Sequence, residues 1–167
     1  MGIKTILISQ PEPSNHNSPY SKLIRKYKVK VDFRPFIHVE GLSAKNVRSQ
    51  KVDFSKFQNI ILTSRNAVDH FFRIAEEMRF KVPAQTKYFC QSEAVAFYLQ
   101  KYVVYRKRKI YVGNNNFNDI ESTFEKFINE KYLVPTSGSL NPKIVQTLDS
   151  FEITWDRVQL YKTVISD

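Results

Sequence analysis

NIILTSRNAVDHFFRIAEEM, residues 59–78, runs from Asn59 into three apolar residues, halts at the hydroxyls of Thr63 and Ser64, and resumes with apolar residues at a different spacing. Ile60, Ile61 and Leu62 form a short branched run suited to a buried strand, whereas Val68, Phe71, Phe72, Ala75 and Met78 share one helical face. The hand-over through Thr63, Ser64, Arg65 and Asn66 therefore reads as a βα unit. N–H groups at a helix start lack intrahelical partners and carry partial positive charge. Residues 63–67, ending at Ala67, are thus able to hold a carboxylate or phosphate with backbone alone. Two readings of the hydroxyls stay open: they cap the helix, the plainer reading, or they reach a ligand.

The same punctuation recurs on both sides. Residues 4–9 make a first strand, closed by Gln10, Pro11, Glu12 and Pro13, where proline ends pairing. A helix from Pro19 to about residue 27 and alternating strands over 29–33 and 36–39 follow, with Arg34 and Pro35 between the strands. After the opening segment, Lys87, Tyr88, Phe89 and Cys90 precede the apolar positions Ala94, Val95, Tyr98 and Leu99, with Ser92 placed as a cap. Residues 110–113 lead to a predicted helix over 118–129, where Asn118 and Glu121 resemble a capping box. Residues 132–135 lead through Thr136, Ser137 and Gly138 to a helix starting at Asn141 and Pro142, and a last strand is expected over 158–164. Strands alternating with helices predict an α/β fold, a mostly parallel sheet flanked by helices and joined by right-handed crossovers. Ligands of such sheets bind outside the carboxyl ends of the strands. Thr63 to Asn66, Cys90 with Gln91 and Ser92, Gly113 with Asn114, and Thr136 with Ser137 and Gly138 all fall at that edge.

Composition narrows the function classes. At 167 residues and 42% apolar, with 13 Phe and nine Tyr, the chain has the means to bury a core and is not a disordered or collagen-like sequence. Twenty-six Lys and Arg against 16 Asp and Glu leave +10, which favours an acidic partner. Cys90 stands alone, so no intrachain disulfide is expected and a cytoplasmic setting is favoured. The start of the chain is expected to carry no signal peptide or myristoylation motif, and no apolar run reaches the roughly 20 residues of a membrane span. His16, His38 and His70 are scattered and show no metal-ligand spacing, so they are read as surface or structural residues. Four glycines exclude a P-loop and a dinucleotide fingerprint. Ser64 lacks the flanking glycines of a hydrolase nucleophile. Residues 101–109 interleave aromatics with a basic run able to stack bases and neutralise phosphates; a solvated loop is the plainer reading, and nucleic acid is not the expected partner.

Ile61, Leu62, Thr63, Ser64, Arg65, Asn66, Ala67 and Val68 resemble the strand, Thr-Ser and Ala-Val helix start of uroporphyrinogen-III synthases. Leu160, Tyr161, Lys162, Thr163 and Val164 resemble that family's Tyr-x-Thr-Val strand, Leu133, Val134 and Pro135 a third family segment, and residues 6–11 its opening strand. The resemblance implies two α/β lobes joined by a two-stranded ladder. Residues 1–33 would begin an incomplete lobe, 34–160 would form a complete one, and 158–167 would return towards the first. It implies closure of hydroxymethylbilane, a linear tetrapyrrole with eight carboxylates, to uroporphyrinogen III with inversion of the last ring, without metal or organic cofactor. By the same resemblance Tyr161 assists departure of the terminal hydroxyl or packs between lobes, two roles left open. Substrate contacts would come from Thr63, Ser64, Arg65, Asn66, Ala67, Cys90, Gln91, Ser92, Thr136, Ser137 and Gly138.

Two departures matter. Cys90 and Glu93 stand where the family shows Gly and Thr, and a carboxylate at Glu93 would repel an anionic substrate. Family chains also continue well past residue 167, so catalysis by this polypeptide alone is expected to be weak or absent. The competing reading is a non-catalytic module that holds tetrapyrroles or another polyanion.

Overall fold

In the computed structural model, which describes residues 2–166, the chain runs through β1 (Thr5–Ile8), α1 (Pro19–Tyr27), β2 (Lys30–Phe33), β3 (Ile37–Gly41), α2 (Ala44–Ser49), β4 (Asn59–Leu62) and α3 (Arg65–Glu77). It continues with β5 (Lys87–Cys90), α4 (Glu93–Leu99), β6 (Ile110–Val112), α5 (Glu121–Lys126), β7 (Lys131–Thr136), α6 (Pro142–Ser150), β8 (Thr154–Gln159) and β9 (Tyr161–Ile165). Two units result: the chain up to Glu40 with the residues from Thr163 onward, and Gly41–Lys162.

In the first unit β1 and β2 pair in parallel, Thr5 opposite Lys30, through the α1 crossover. Ser18 caps α1 by accepting the Ser21 N–H, Pro19 occupies the first turn, and Lys28 closes the helix in the left-handed conformation at φ 50°. The ring of Tyr20 meets Phe33 edge-on at 5.3 Å. Strands β3 and β9 form a separate two-stranded ladder, and they carry the chain into and out of the larger unit.

The larger unit is built on a five-stranded, wholly parallel sheet in the order β6-β5-β4-β7-β8. Successive strand side chains point to opposite faces, so a sheet with helices on both sides needs apolar residues at nearly every position of its central strands. Ile60 and Leu62 of β4 enter one core and Ile61 the other; Tyr88 and Cys90 of β5 oppose Phe89; Leu133 of β7 opposes Tyr132 and Val134. Helices α2, α3 and α4 cover the first face through Val47, Val68, Phe71, Ile74, Val95 and Leu99. Helices α5 and α6 cover the second, an aromatic core in which Phe124 stacks on both Phe89 and Phe151 at 4.9 Å. Among the described residues no helix is long and apolar enough to cross a membrane.

Three expectations are corrected. The last strand is two: β8 begins earlier than expected, at Thr154, and the break falls at Leu160. Leu160 is fully buried; its N–H donates to Thr136 O and its carbonyl accepts from Leu42 N–H and Arg73, so it turns the chain from sheet to ladder. The helix expected over 118–129 is only Glu121–Lys126, preceded by a 3-10 turn at Asn118–Ile120, and no side chain caps either start. Asn118 instead donates its N–H to Asn116 Oδ1, and Asp119 accepts from the Asn114 N–H, which ties the polar loop to itself. Between the strand expected at 36–39 and the one at residues 60–62, where the sequence reading placed no element, α2 and a 3-10 turn at Phe54–Lys56 put Val47 and Phe54 in the core.

At the edge of β8 a side chain stands in for a neighbouring strand. Gln50 donates its Nε2–H to the Gln159 carbonyl and accepts the Gln159 N–H on Oε1, both at 2.8 Å. Gln159 in turn donates from its own side chain to Ser137 O at 3.1 Å and Tyr161 O at 3.4 Å, so one residue ties the β7–α6 turn to the start of β9. That turn depends on Gly138, whose φ of +105° suits glycine and whose Cβ, if added, would lie 2.7 Å from Gln159 Nε2. Gly138→Ala is expected to destabilise the protein by about 1–3 kcal/mol in urea unfolding. A loss inside the roughly 0.5 kcal/mol of ordinary surface substitutions would show that the turn relaxes freely.

Candidate functional site

Because every strand of the sheet is parallel, the turns that follow β4, β5, β6 and β7 share one rim. A cleft of 230 Å³ opens there, lined by Thr63 and Ser64, by Gln91, by Thr136, Ser137, Ser139, Leu140 and Asn141, by Ile144 of α6, and by Tyr161 of β9. Five of the residues expected to bind substrate, Thr63, Ser64, Gln91, Thr136 and Ser137, therefore meet Tyr161 around one hollow.

The hydroxyls mostly do local work. Ser64, in extended backbone, accepts the Ala67 N–H on Oγ at 3.1 Å, and Ser92 accepts the Val95 N–H at 3.4 Å, so both cap their helices. Thr136, 3% exposed, accepts the Gly138 N–H at 2.8 Å, which consumes that amide within the turn. Amides at the first two positions of α3, those of Arg65 and Asn66, keep no partner inside the helix by virtue of their position. Both residues are exposed.

Ala67 and Cys90 do not present side chains at the rim, because both are fully buried in the core under α3 and α4. The Ala67 amide is already taken by Ser64, and the Cys90 carbonyl by the Gly113 N–H. Burial pushes the Cys90 thiol up to about 12, which leaves it inert. Ser92 and Gly138 lie outside the cleft lining, as does Glu93, which with Asp119 borders a separate 690 Å³ hollow beside β6. Glu93 thus borders a different hollow from the one that Tyr161 lines.

Tyr161, 7% exposed, is held from two sides. Its hydroxyl lies 3.3 Å from Ser64 Oγ, and its ring stacks on His70 at 4.9 Å with 16° between planes. Arg73 Nε donates to His70 Nδ1 at 3.1 Å, which puts the imidazole proton on Nε2. The remaining guanidinium nitrogens donate to Leu42 O at 3.0 Å, Leu160 O at 3.2 Å and Glu77 at 2.7 Å. Burial, reinforced by the charge of Arg73 and only partly opposed by Asp69, holds the His70 pKa below its usual value. Beside this column Asp69 accepts from Tyr98 at 2.8 Å and from Tyr102. Burial alone would raise its carboxyl, but those two phenols and the Lys101 charge outweigh it and hold the group below the usual carboxylate range. The Tyr98 ring carries Arg65 at 5.6 Å, poised near the start of α3.

Sequence reasoning missed Ser139, Leu140, Asn141 and Ile144, and it set His70 aside as a structural or surface residue. A signal existed: His70, Arg73 and Glu77 are spaced by three and four on a helix whose cap is Ser64, which puts all three on one face.

A family model described as HEM4, uroporphyrinogen-III synthase HemD, matches residues 18–167. No curated protein matches the chain. A mutant uroporphyrinogen III synthase from the extremely thermophilic bacterium Thermus thermophilus is similar in fold, with a TM-score of 0.65 and 10% identity, over 99% of this chain and 64% of that one. The uroporphyrinogen-III synthetase of Helicobacter pylori 26695 gives a TM-score of 0.57 and 13% identity over the same shares. The chain thus spans 64% of the length of these structures.

The depressed His70 pKa makes stability depend on pH. Below the ordinary imidazole value the unfolded chain takes up a proton that the folded ring resists, so stability falls as pH drops from about 6.5 towards the folded pKa and is unaffected above it. Urea midpoints measured between pH 7.5 and 5 should fall for the native protein and fall less steeply for His70→Gln. Equal slopes would mean that the ring titrates freely in the fold.

Proposed function

Since the chain belongs to the uroporphyrinogen-III synthase family over residues 18–167, we propose that it serves the closure of hydroxymethylbilane to uroporphyrinogen III, holding the tetrapyrrole by its carboxylates while the last ring inverts. The observation that carries this reading is the convergence of three strand-to-helix turns and Tyr161 on a single cleft. At 230 Å³ the cleft suits one substituted pyrrole rather than four, so it would take the terminal ring while the exposed rim and the +10 charge attract the other acid groups.

Loss of the terminal hydroxyl leaves an electrophilic azafulvene. The substituted carbon of the last ring attacks it to form a spiro intermediate, which fragments and recloses. Closure without inversion occurs spontaneously, so the protein has to hold the chain in one bent geometry, which is an orientation effect. Tyr161 would donate a hydrogen bond to the departing hydroxyl. With the Ala67 N–H on one lone pair of Ser64 Oγ, Ser64 would donate its proton to Tyr161 Oη and leave the phenol proton for the substrate.

A second reading, a module that holds tetrapyrroles or another polyanion without turnover, is supported by the local capping role of Ser64 and Ser92, whose hydroxyls serve their own helices. Enzymatically generated hydroxymethylbilane separates the two. Slow formation of isomer III, weak but above the spontaneous background, is the expected result, and Tyr161→Phe should bring it down to that background with little change in binding. Binding with isomer I alone would move the assignment to the module, and absence of both binding and isomer III would sink either reading.

A further inference from the structure

At the amino ends of β5 and β6, the opposite ends of these strands from the cleft, lies a third hollow, of 320 Å³ and with different chemistry. Its aromatic lining is Phe72, Tyr88 and Tyr102, its aliphatic lining includes Val82 and Val103, and its cations are Arg106 and Lys109. The volume is at the small end of ligand pockets, roughly 300–1,000 Å³.

Three observations make it more than a gap. Tyr88 is 4% exposed, and no described residue hydrogen-bonds its hydroxyl; among the described residues only Asn59 Oδ1 is both fully enclosed and unpartnered, so the Tyr88 hydroxyl opens onto the hollow. A hydroxyl that no residue of the fold accepts from is left free to donate to whatever fills the hollow. The lining is also held in place before any ligand arrives: Tyr102 stacks on Phe72 at 4.6 Å with 5° between planes and donates to Asp69, while Lys109 Nζ donates to the Ala84 carbonyl. Finally, Arg106 is exposed and Lys109 half-buried beside an otherwise apolar surface, so the charge at the hollow is positive.

We propose that this hollow is a binding site for a planar aromatic acid. The ring lies against the Phe72 and Tyr102 pair, a carboxylate meets Arg106 and Lys109, and an oxygen substituent at the far end of the ring accepts from Tyr88. The site takes in the aromatic and basic segment 101–109, and it makes no use of the rim cleft, so it stands or falls independently of the synthase reading.

The test is an amide-resolved NMR titration of the whole chain with 6-hydroxy-2-naphthoate, flanked by 2-naphthoate, which lacks the hydroxyl, and 2-naphthol, which lacks the carboxylate. Shifts should concentrate in residues 82–88 and 102–110, and affinity should fall by roughly tenfold for 2-naphthol and for Arg106→Glu, the loss expected of a charge-assisted hydrogen bond. Tyr88→Phe should lower the affinity for 6-hydroxy-2-naphthoate to that for 2-naphthoate while leaving Tm unchanged or raised, because it removes a hydroxyl the fold does not use. Shifts centred on residues 63–66 and 136–141, equal affinity for 2-naphthol, or a Tyr88→Phe variant that loses Tm but keeps affinity would each overturn the proposal.

Discussion

The guanidinium of Arg73 is the point from which the site hangs. Leu42 and Leu160 lie where the chain enters and leaves the sheet-bearing unit; the Leu42 N–H donates to the Leu160 carbonyl, and the carbonyls of both residues accept from Arg73. Backbone acceptors in such a place need donors, and a planar fork with five N–H groups serves two of them at once while also holding His70 and Glu77. A lysine has neither the reach nor the fixed angles to do this. Gly41 leaves the required room, since a Cβ there would stand 2.6 Å from Arg73 Nη2. His70 is oriented by the same side chain, Tyr161 rests on His70, and Ser64 touches Tyr161, so the aromatic column that borders the cleft inherits its geometry from two backbone carbonyls.

Much of the fold was written in local pattern. Ile60, Ile61 and Leu62, the run ending at Cys90, and the run ending at Thr136 are short, apolar and followed by hydroxyl or amide caps, which is all a parallel sheet with two covered faces demands of a sequence. What escaped was set by distant partners. Nothing near Leu160 announces a break; it follows from Thr136, Leu42 and Arg73, which lie far away in sequence and close in space. The helix expected after Asn118 was shortened because Asn114, Asn116, Asn118 and Asp119 found one another in the loop before any could act as a cap.

The candidate site shows the same division. Position at a strand-to-helix turn identified Thr63, Ser64, Gln91, Thr136 and Ser137 as rim residues, but could not separate Ser92 from them, because a turn can share the rim without facing the hollow. Ala67 and Cys90 belong to motifs by sequence and to the core by packing. Leu140, Asn141 and Ile144 lie past the turn, and only the entry angle of α6 brings them to the cleft.

The paired amide of Gln50 on Gln159 has a meaning beyond its two hydrogen bonds. An outermost strand leaves donors and acceptors turned outward, the arrangement on which foreign strands grow. By supplying both complementary groups from one side chain, Gln50 occupies that position with a surrogate too small to be extended further. The end of the outer strand at Gln159 is thereby closed by a polar amide, so that position of the edge is spoken for before any foreign strand arrives.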